Sequence, residues 1–236
     1  GFTSSRFLVA LAVAVEMLVA FVLLYTRHRL PILDLSLFRN GTFAGANLAV
    51  LLVALAMFGV FFFVSLYMQG VLGYSAVETG AAFLPLTILI MLTAPIAGKA
   101  SDRFGSRGLM TVGMILIAIQ LFYFSRLGVE ESYWNLLPGM ILGGFGMAMV
   151  MTPSAAAAVR ALPVDKAGVG SAVLNACRQV GGSMGIAVIG AIMAHEIGDL
   201  RGPAVFRQKE LFVDGFSTAL TVAALIAVLG AVVSFV

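Results

Sequence analysis

An all-α bundle of about seven membrane-spanning helices is the fold this sequence predicts, and three observations predict it. Hydrophobic residues make up 61% of the 236 and charged residues only 11%, against about 25% charged in a soluble domain. A chain this apolar cannot hide its own surface, so lipid must form part of its solvent. Apolar runs of roughly 20 residues, enough helix to cross about 30 Å of hydrocarbon, recur seven times along it. The 26 glycines exceed the usual share of about 7% and suit helices packed closely in a membrane.

Taken in order, the runs fall at 7–25, 42–68, 81–98, 108–125, 134–158, 168–194 and 216–236. The first follows Arg6; its length, and the similar segments after it, set it apart from a signal peptide. The third ends at "APIAG", where Pro95 and Gly98 disfavour further helix. The fifth contains Gly143, Gly144, Gly146 and Pro153, a composition that marks a bend. The sixth carries Gly181 and Gly185 in a G-x-x-x-G pair beside Gly182, which permits tight helix contact. Two shorter stretches, "LPILDLSLF" at 30–38 and "PAVFRQKELF" at 203–212, read as helices lying in the interface. The chain opens on Gly1 and closes on "AVVSFV" within an apolar run, so both ends read as internal to a longer protein.

Loop charges give the orientation. Connections after the first, third and fifth runs hold Arg27, Arg29, Arg39, Lys99, Arg103, Arg107, Arg160 and Lys166 against Asp34, Asp102 and Asp165. The opposite side holds Arg6, Arg126, Arg201, Arg207 and Lys209 against seven acids. The excess of basic residues places the first set in the cytoplasm, the start of the chain outside and its end inside. In a membrane protein the net charge of +3 therefore speaks for topology, and nucleic acid is not an expected partner. The single cysteine, Cys177, allows no intrachain disulfide, and His28 and His195 stand without a ligand cluster. Neither a metal site nor enzyme chemistry is expected, and no phosphate-binding loop is present.

Two sets of polar residues stand out. Between the third and fourth runs, "GKASDRFGSR" has the spacing G-x-x-x-D-R-x-G-x-R through Gly98, Asp102, Arg103, Gly105 and Arg107. Basic residues there anchor a turn at the headgroups, and Gly105 permits a left-handed turn. Asp102 either caps the fourth span or pairs with an arginine across a helix interface. In the sixth run, Asn175, Arg178 and Gln179 fall at i, i+3 and i+4 on one helical face. A charge at mid-helix costs about 2.5–3.5 kcal/mol on insertion scales. Arg178 thus either lines a polar cavity or snorkels to the headgroups. Glu16, near the centre of the first run, is either a proton carrier or a protonated, locally bonded side chain. Asn47, Tyr67 and Gln69 are polar candidates for a substrate path, or helix–helix hydrogen-bonding groups.

The "GKASDRFGSR" spacing resembles the signature loop of the major facilitator superfamily. "YMQGVLGYSAVETGAAFLPL" (67–86) and "PVDKAGVGSAVLNACRQVGGSMGIAVIGAIM" (163–193) are similar to segments of its fourteen-span drug:proton antiporters. That resemblance implies that residues 1–41 are an accessory transmembrane helix with its cytoplasmic connector, and 42–236 the C-terminal six-helix half. It implies that the signature loop acts as a conformational latch. It also implies proton-coupled multidrug efflux of lipophilic or cationic compounds across the cell membrane, energised by the proton gradient without a cofactor. The partners implied are membrane lipids, a small-molecule substrate and an N-terminal transporter half. Spans two to seven hold no central Asp or Glu, so the main coupling carboxylate is expected in that other half. Arg178 favours a rival, an exporter of an organic anion or siderophore. A seven-span receptor or scaffold is a further alternative.

Overall fold

The computed structural model describes residues 35–197 and 209–235, together with residues 9, 12, 13, 15–17, 19 and 20. The chain divides into two compact units, Gly1–Ser36 and Leu37–Val236. In the first unit, the described residues from Val9 to Ala20 are helical and exposed, Glu16 among them. The rest of the first apolar run, and most of the 30–38 and 203–212 stretches, lie outside the described residues.

The second unit is helical throughout its elements. They are α1 (Gly41–Gly70), α2 (Ala76–Ala82), α3 (Leu84–Phe104), α4 (Ser106–Phe124), α5 (Tyr133–Arg160), α6 (Ala167–Ile197) and α7 (Lys209–Phe235), with short 3₁₀ turns at Leu35–Arg39 and Val164–Lys166. Taking α2 and α3 as one crossing, six of the described helical segments are long and apolar enough to span a membrane.

Each start has a local cause. Asn40 caps α1: its Oδ1 accepts from the amides of Thr42 (3.0 Å) and Phe43 (3.2 Å), while its Nδ2 donates to the Ala161 carbonyl at 3.1 Å. One side chain thus satisfies free amides and ties the start of α1 to the end of α5. Ser75 and Glu78 form a capping box for α2, so this crossing begins at Ala76, five residues earlier than the apolar run implies. The last span likewise begins at Lys209, ahead of 216. There the Lys209 Nζ donates to the Val71 carbonyl, 2.5 Å away, at the end of α1, which suits a cation at a helix C-terminus.

The end of the third span differs from expectation. Helix α3 continues through Pro95 and Gly98 to Phe104. A proline removes one intrahelical hydrogen bond, yet Ala97 and Ser101 beyond it are buried, and that packing holds the last turns helical. Helix α5 also runs on as one element through Pro138 and Pro153.

Helix α1 is the axis of the bundle. It packs on α6, α7 and α5, while α4 packs on α5 and α7, and α3 on α5. Its most apolar window is 61% buried, against 22% for the α2–α3 crossing and 28% for α6. A helix apolar on every side belongs in an interior; α6 packs directly against it and α3 lies beyond α5, and both keep long faces uncovered. The core includes Met57, Val64, Met114, Ile117, Phe124, Leu136, Met140 and Phe216.

Glycines set the closest crossings. A Cβ on Gly181 or Gly185 of α6 would overlap the Leu51 or Leu55 carbonyl of α1, and one on Gly59 of α1 would overlap Ile189. Between α4 and α5, a Cβ on Gly113 or Gly146 would lie 2.8 Å from the other's carbonyl oxygen. The missing side chains let the backbones meet, the contact on which membrane helices depend when water supplies no drive between them.

Candidate functional site

The signature residues sit on two helices and the joint between them. Gly98, Asp102 and Arg103 belong to α3 and Arg107 to α4; Gly105 alone lies outside both. Gly105 has φ 87° and ψ 159°, a region essentially reserved for glycine, where another residue costs about 1–3 kcal/mol. The segment is therefore a one-residue joint between two helices rather than a loop. A Cβ on Gly98 would stand 3.5 Å from the Thr152 methyl of α5, an ordinary contact.

Asp102 forms an ion pair with Arg160, the last residue of α5. Of the two expected roles, pairing with an arginine is the one present: α4 has no side-chain cap, because Asp102 is itself held in α3. Arg160 entered the sequence reading only as a loop charge. It lies 58 residues from its partner, a separation that leaves no local signal. The Arg103 guanidinium stands 5.3 Å from the centre of the Phe104 ring.

Both side chains of the pair are more than half exposed, at 58% for Asp102 and 59% for Arg160. Exposed pairs contribute about 0.2–1 kcal/mol, which bounds what this one can do to an equilibrium at about fivefold. Asp102→Asn in the full-length protein is accordingly expected to change transport by no more than about fivefold with little effect on thermal stability. The exchange Asp102→Arg with Arg160→Asp should restore most of what Asp102→Arg loses. A double exchange no better than the single one would show that the pair is not the working contact.

The second constellation lies on α6. Arg178 donates through Nη2 to Asn175 Oδ1 at 2.5 Å. Both line an open crevice of about 200 Å³ with Ser171 and Leu174, against Val50 of α1 and Met151, Ala155 and Val159 of α5. A guanidinium carries five N–H donors, and among the described residues Arg178 meets no carboxylate. The crevice thus presents a cation with uncommitted donors over an apolar wall, an arrangement able to hold an anion, a carboxylate or carbonyl groups. Gln179 is exposed but is not one of the residues lining it.

The other polar candidates stand apart. Asn47 is buried in α1 and donates to the Phe43 carbonyl at 2.8 Å, its Oδ1 unpaired. Tyr67 is fully buried at the far end of α1. Its ring stacks on Phe216 with centroids 5.2 Å apart, and its hydroxyl donates to the Gly128 carbonyl at 2.6 Å. Those contacts make it a clasp for the 125–132 connection, not part of an open path. Gln69 is exposed and donates to Ser65 at 3.0 Å.

Two of the glycine- and proline-rich positions have definite neighbours. Pro153 is buried within α5, and Gly143 makes room for the amide of Gln120. Gln120, on α4, is fully buried with both polar atoms unpartnered. It escaped sequence reading because one glutamine in "ILIAIQLF" breaks no pattern.

Comparison with known proteins adds an independent line. The family model for the Major Facilitator Superfamily matches residues 2–186. The chain is 36% identical over 200 residues to the tetracenomycin C resistance and export protein of Streptomyces glaucescens, covering 85% of this chain and 37% of that protein. It is 31% identical over 196 residues to the multidrug resistance protein Stp of Mycobacterium tuberculosis, covering 82% and 36%. An uncharacterized MFS-type transporter of Bacillus subtilis, YcnB, aligns over 235 residues at 32% identity, 100% of this chain and 49% of that one. The chain thus spans between about a third and a half of the length of these curated relatives.

Proposed function

We infer function from membership: the chain belongs to the major facilitator superfamily, a family of transporters rather than enzymes, and we propose that it supplies one half of an exporter. In this reading residues 42–236 are the C-terminal six-helix half and 1–41 an accessory helix with its connector. The intact protein exchanges protons for lipophilic or cationic compounds across the cytoplasmic membrane, with the start of this chain outside and its end inside. Relatives named for multidrug resistance and for tetracenomycin C export support an exporter of bulky organic compounds.

One observation carries the proposal. Helix α6 packs on α1 by one face and keeps most of its surface uncovered, and its polar crevice at Asn175 and Arg178 opens at the surface of this half. A charge about a third of the way along a span, at a cost that reaches about 2.5–3.5 kcal/mol at the centre and less nearer the interface, is best accounted for by a cavity shared with a second half, where alternating-access transporters hold their substrate. The latch role of Gly98, Asp102, Arg103, Gly105 and Arg107 belongs to the same reading, with the Asp102–Arg160 pair as its moving contact. Glu16, Asn47 and Gln179 are kept as secondary candidates for proton or substrate contact.

A second reading has its own observation. Arg178 meets no acidic partner among the described residues, and a lone guanidinium repels a cation while it attracts an organic anion. The receptor or scaffold alternative has no support in the family assignment.

The test uses the full-length protein in everted vesicles, following a fluorescent lipophilic cation with and without an imposed pH gradient. Accumulation that requires the gradient and collapses with a protonophore is the expected result. Accumulation of organic acids alone selects the second reading, and uptake indifferent to the gradient contradicts proton coupling.

A further inference from the structure

A second crevice lies apart from the one at Asn175 and Arg178 and shares no lining residue with it. Arg107, in the first turn of α4, lines this crevice of about 440 Å³ bounded by the start of α1, the start of α4 and the end of α7. We propose that this crevice is a binding site for one anionic phospholipid, with the phosphate on Arg107 and the apolar part along α7. The proposal does not depend on which compound the protein exports.

Four observations bear on it. The volume falls within the roughly 300–1,000 Å³ of ligand sites. Arg107 is exposed and, among the described residues, has no ion pair. Two wall positions border open space: a Cβ on Gly41 or Gly45 would have no atom within 4 Å. The remaining wall is chiefly apolar, with Met110 of α4 and Val232 and Val233 of α7, and Ser106 adds a hydroxyl.

Those features together select the occupant. A small inorganic anion would use Arg107 and Ser106 and leave an apolar wall in water. An uncharged acyl chain would use the wall and leave the arginine unmatched. A phospholipid with a net negative headgroup meets both, and at this end of the spans its phosphate and glycerol lie at the level of the crevice. Basic pockets between transmembrane helices bind anionic headgroups by this combination of charge and depth. The lipid would then bridge the start of α1, the start of α4 and the end of α7.

The test measures lipid retained by the purified full-length protein in detergent, by native mass spectrometry, with phosphatidylglycerol and phosphatidylcholine of the same acyl chains. The unaltered protein is expected to retain phosphatidylglycerol in preference. Arg107→Ala should lower that retention about fivefold, the contribution of one basic residue near an anionic lipid, and erase the preference; Arg107→Lys should keep most of it. Gly45→Leu, which fills the crevice from an open position, should reduce both lipids. Preference unchanged in both Arg107→Ala and Gly45→Leu would overturn the proposal. So would displacement of phosphatidylglycerol by inorganic phosphate, which would make the site one for a free anion.

Discussion

Gly185→Leu is expected to abolish the folded bundle, with loss of a monodisperse peak in detergent and of most membrane expression. The Cβ alone would overlap the Leu55 carbonyl of α1, and a backbone carbonyl cannot turn aside as a side chain can. Relief requires α6 to move away from α1 along the whole crossing, because Gly181 meets Leu51 and Gly59 meets Ile189 in the same seam. Overpacking of an ordinary core costs about 1–3 kcal/mol; here the obstacle is backbone on both sides, so the cost exceeds that range. Gly190→Leu on the same helix is the control: its Cβ would lie 3.5 Å from the Phe63 ring edge, an ordinary contact. A well-folded Gly185→Leu protein would show that α1 and α6 do not cross as described.

Arg178→Ala is expected to slow transport by tenfold or more while leaving the protein folded. Hydrogen bonds to a charged group contribute about 1.5–3 kcal/mol each, and one such contact made in the transport cycle accounts for a tenfold effect. The residue is exposed in this half and bonded only to Asn175 among the contacts described, so its removal leaves no buried partner orphaned. Arg178→Lys retains the charge but loses the planar fork; partial activity in it distinguishes a point-charge role from multidentate binding. If the guanidinium merely reaches toward the headgroups, Arg178→Ala transports within twofold of the unaltered protein.

The spans were readable because their signal is length and composition, which do not depend on partners. Runs at 42–68, 134–158 and 168–194 correspond to helices at Gly41–Gly70, Tyr133–Arg160 and Ala167–Ile197. Errors arose where tertiary contact overrides local preference. Proline and glycine at 95 and 98 suggested an end, yet the buried faces of Ala97 and Ser101 carry α3 on to Phe104. Lys209 lies ahead of the last apolar run, but its bond to the Val71 carbonyl draws the first turn of α7 into order.

The candidate residues divide along the same line. The i, i+3 relation of Asn175 and Arg178 is a property of one helix, and the two side chains do meet. Tyr67 was proposed for a path because it is polar near a span end; only the fold reveals Phe216 and Gly128 as its partners. Arg160 and Gln120 depend wholly on contacts between distant segments.

The central claim is that the α6 crevice faces a water-accessible path shared with the rest of the protein. The direct measurement is thiol labelling of full-length protein in which Asn175→Cys is the single cysteine, every native cysteine, Cys177 included, being replaced by serine. A membrane-impermeant reagent is applied to right-side-out and to everted vesicles, beside Leu229→Cys on the 62% exposed outer surface of α7. The account predicts labelling at position 175 from both sides, slowed by a transported compound, and none at 229. If position 175 labels no better than 229, the crevice faces lipid, and the assignment of Arg178 to a transport path is contradicted.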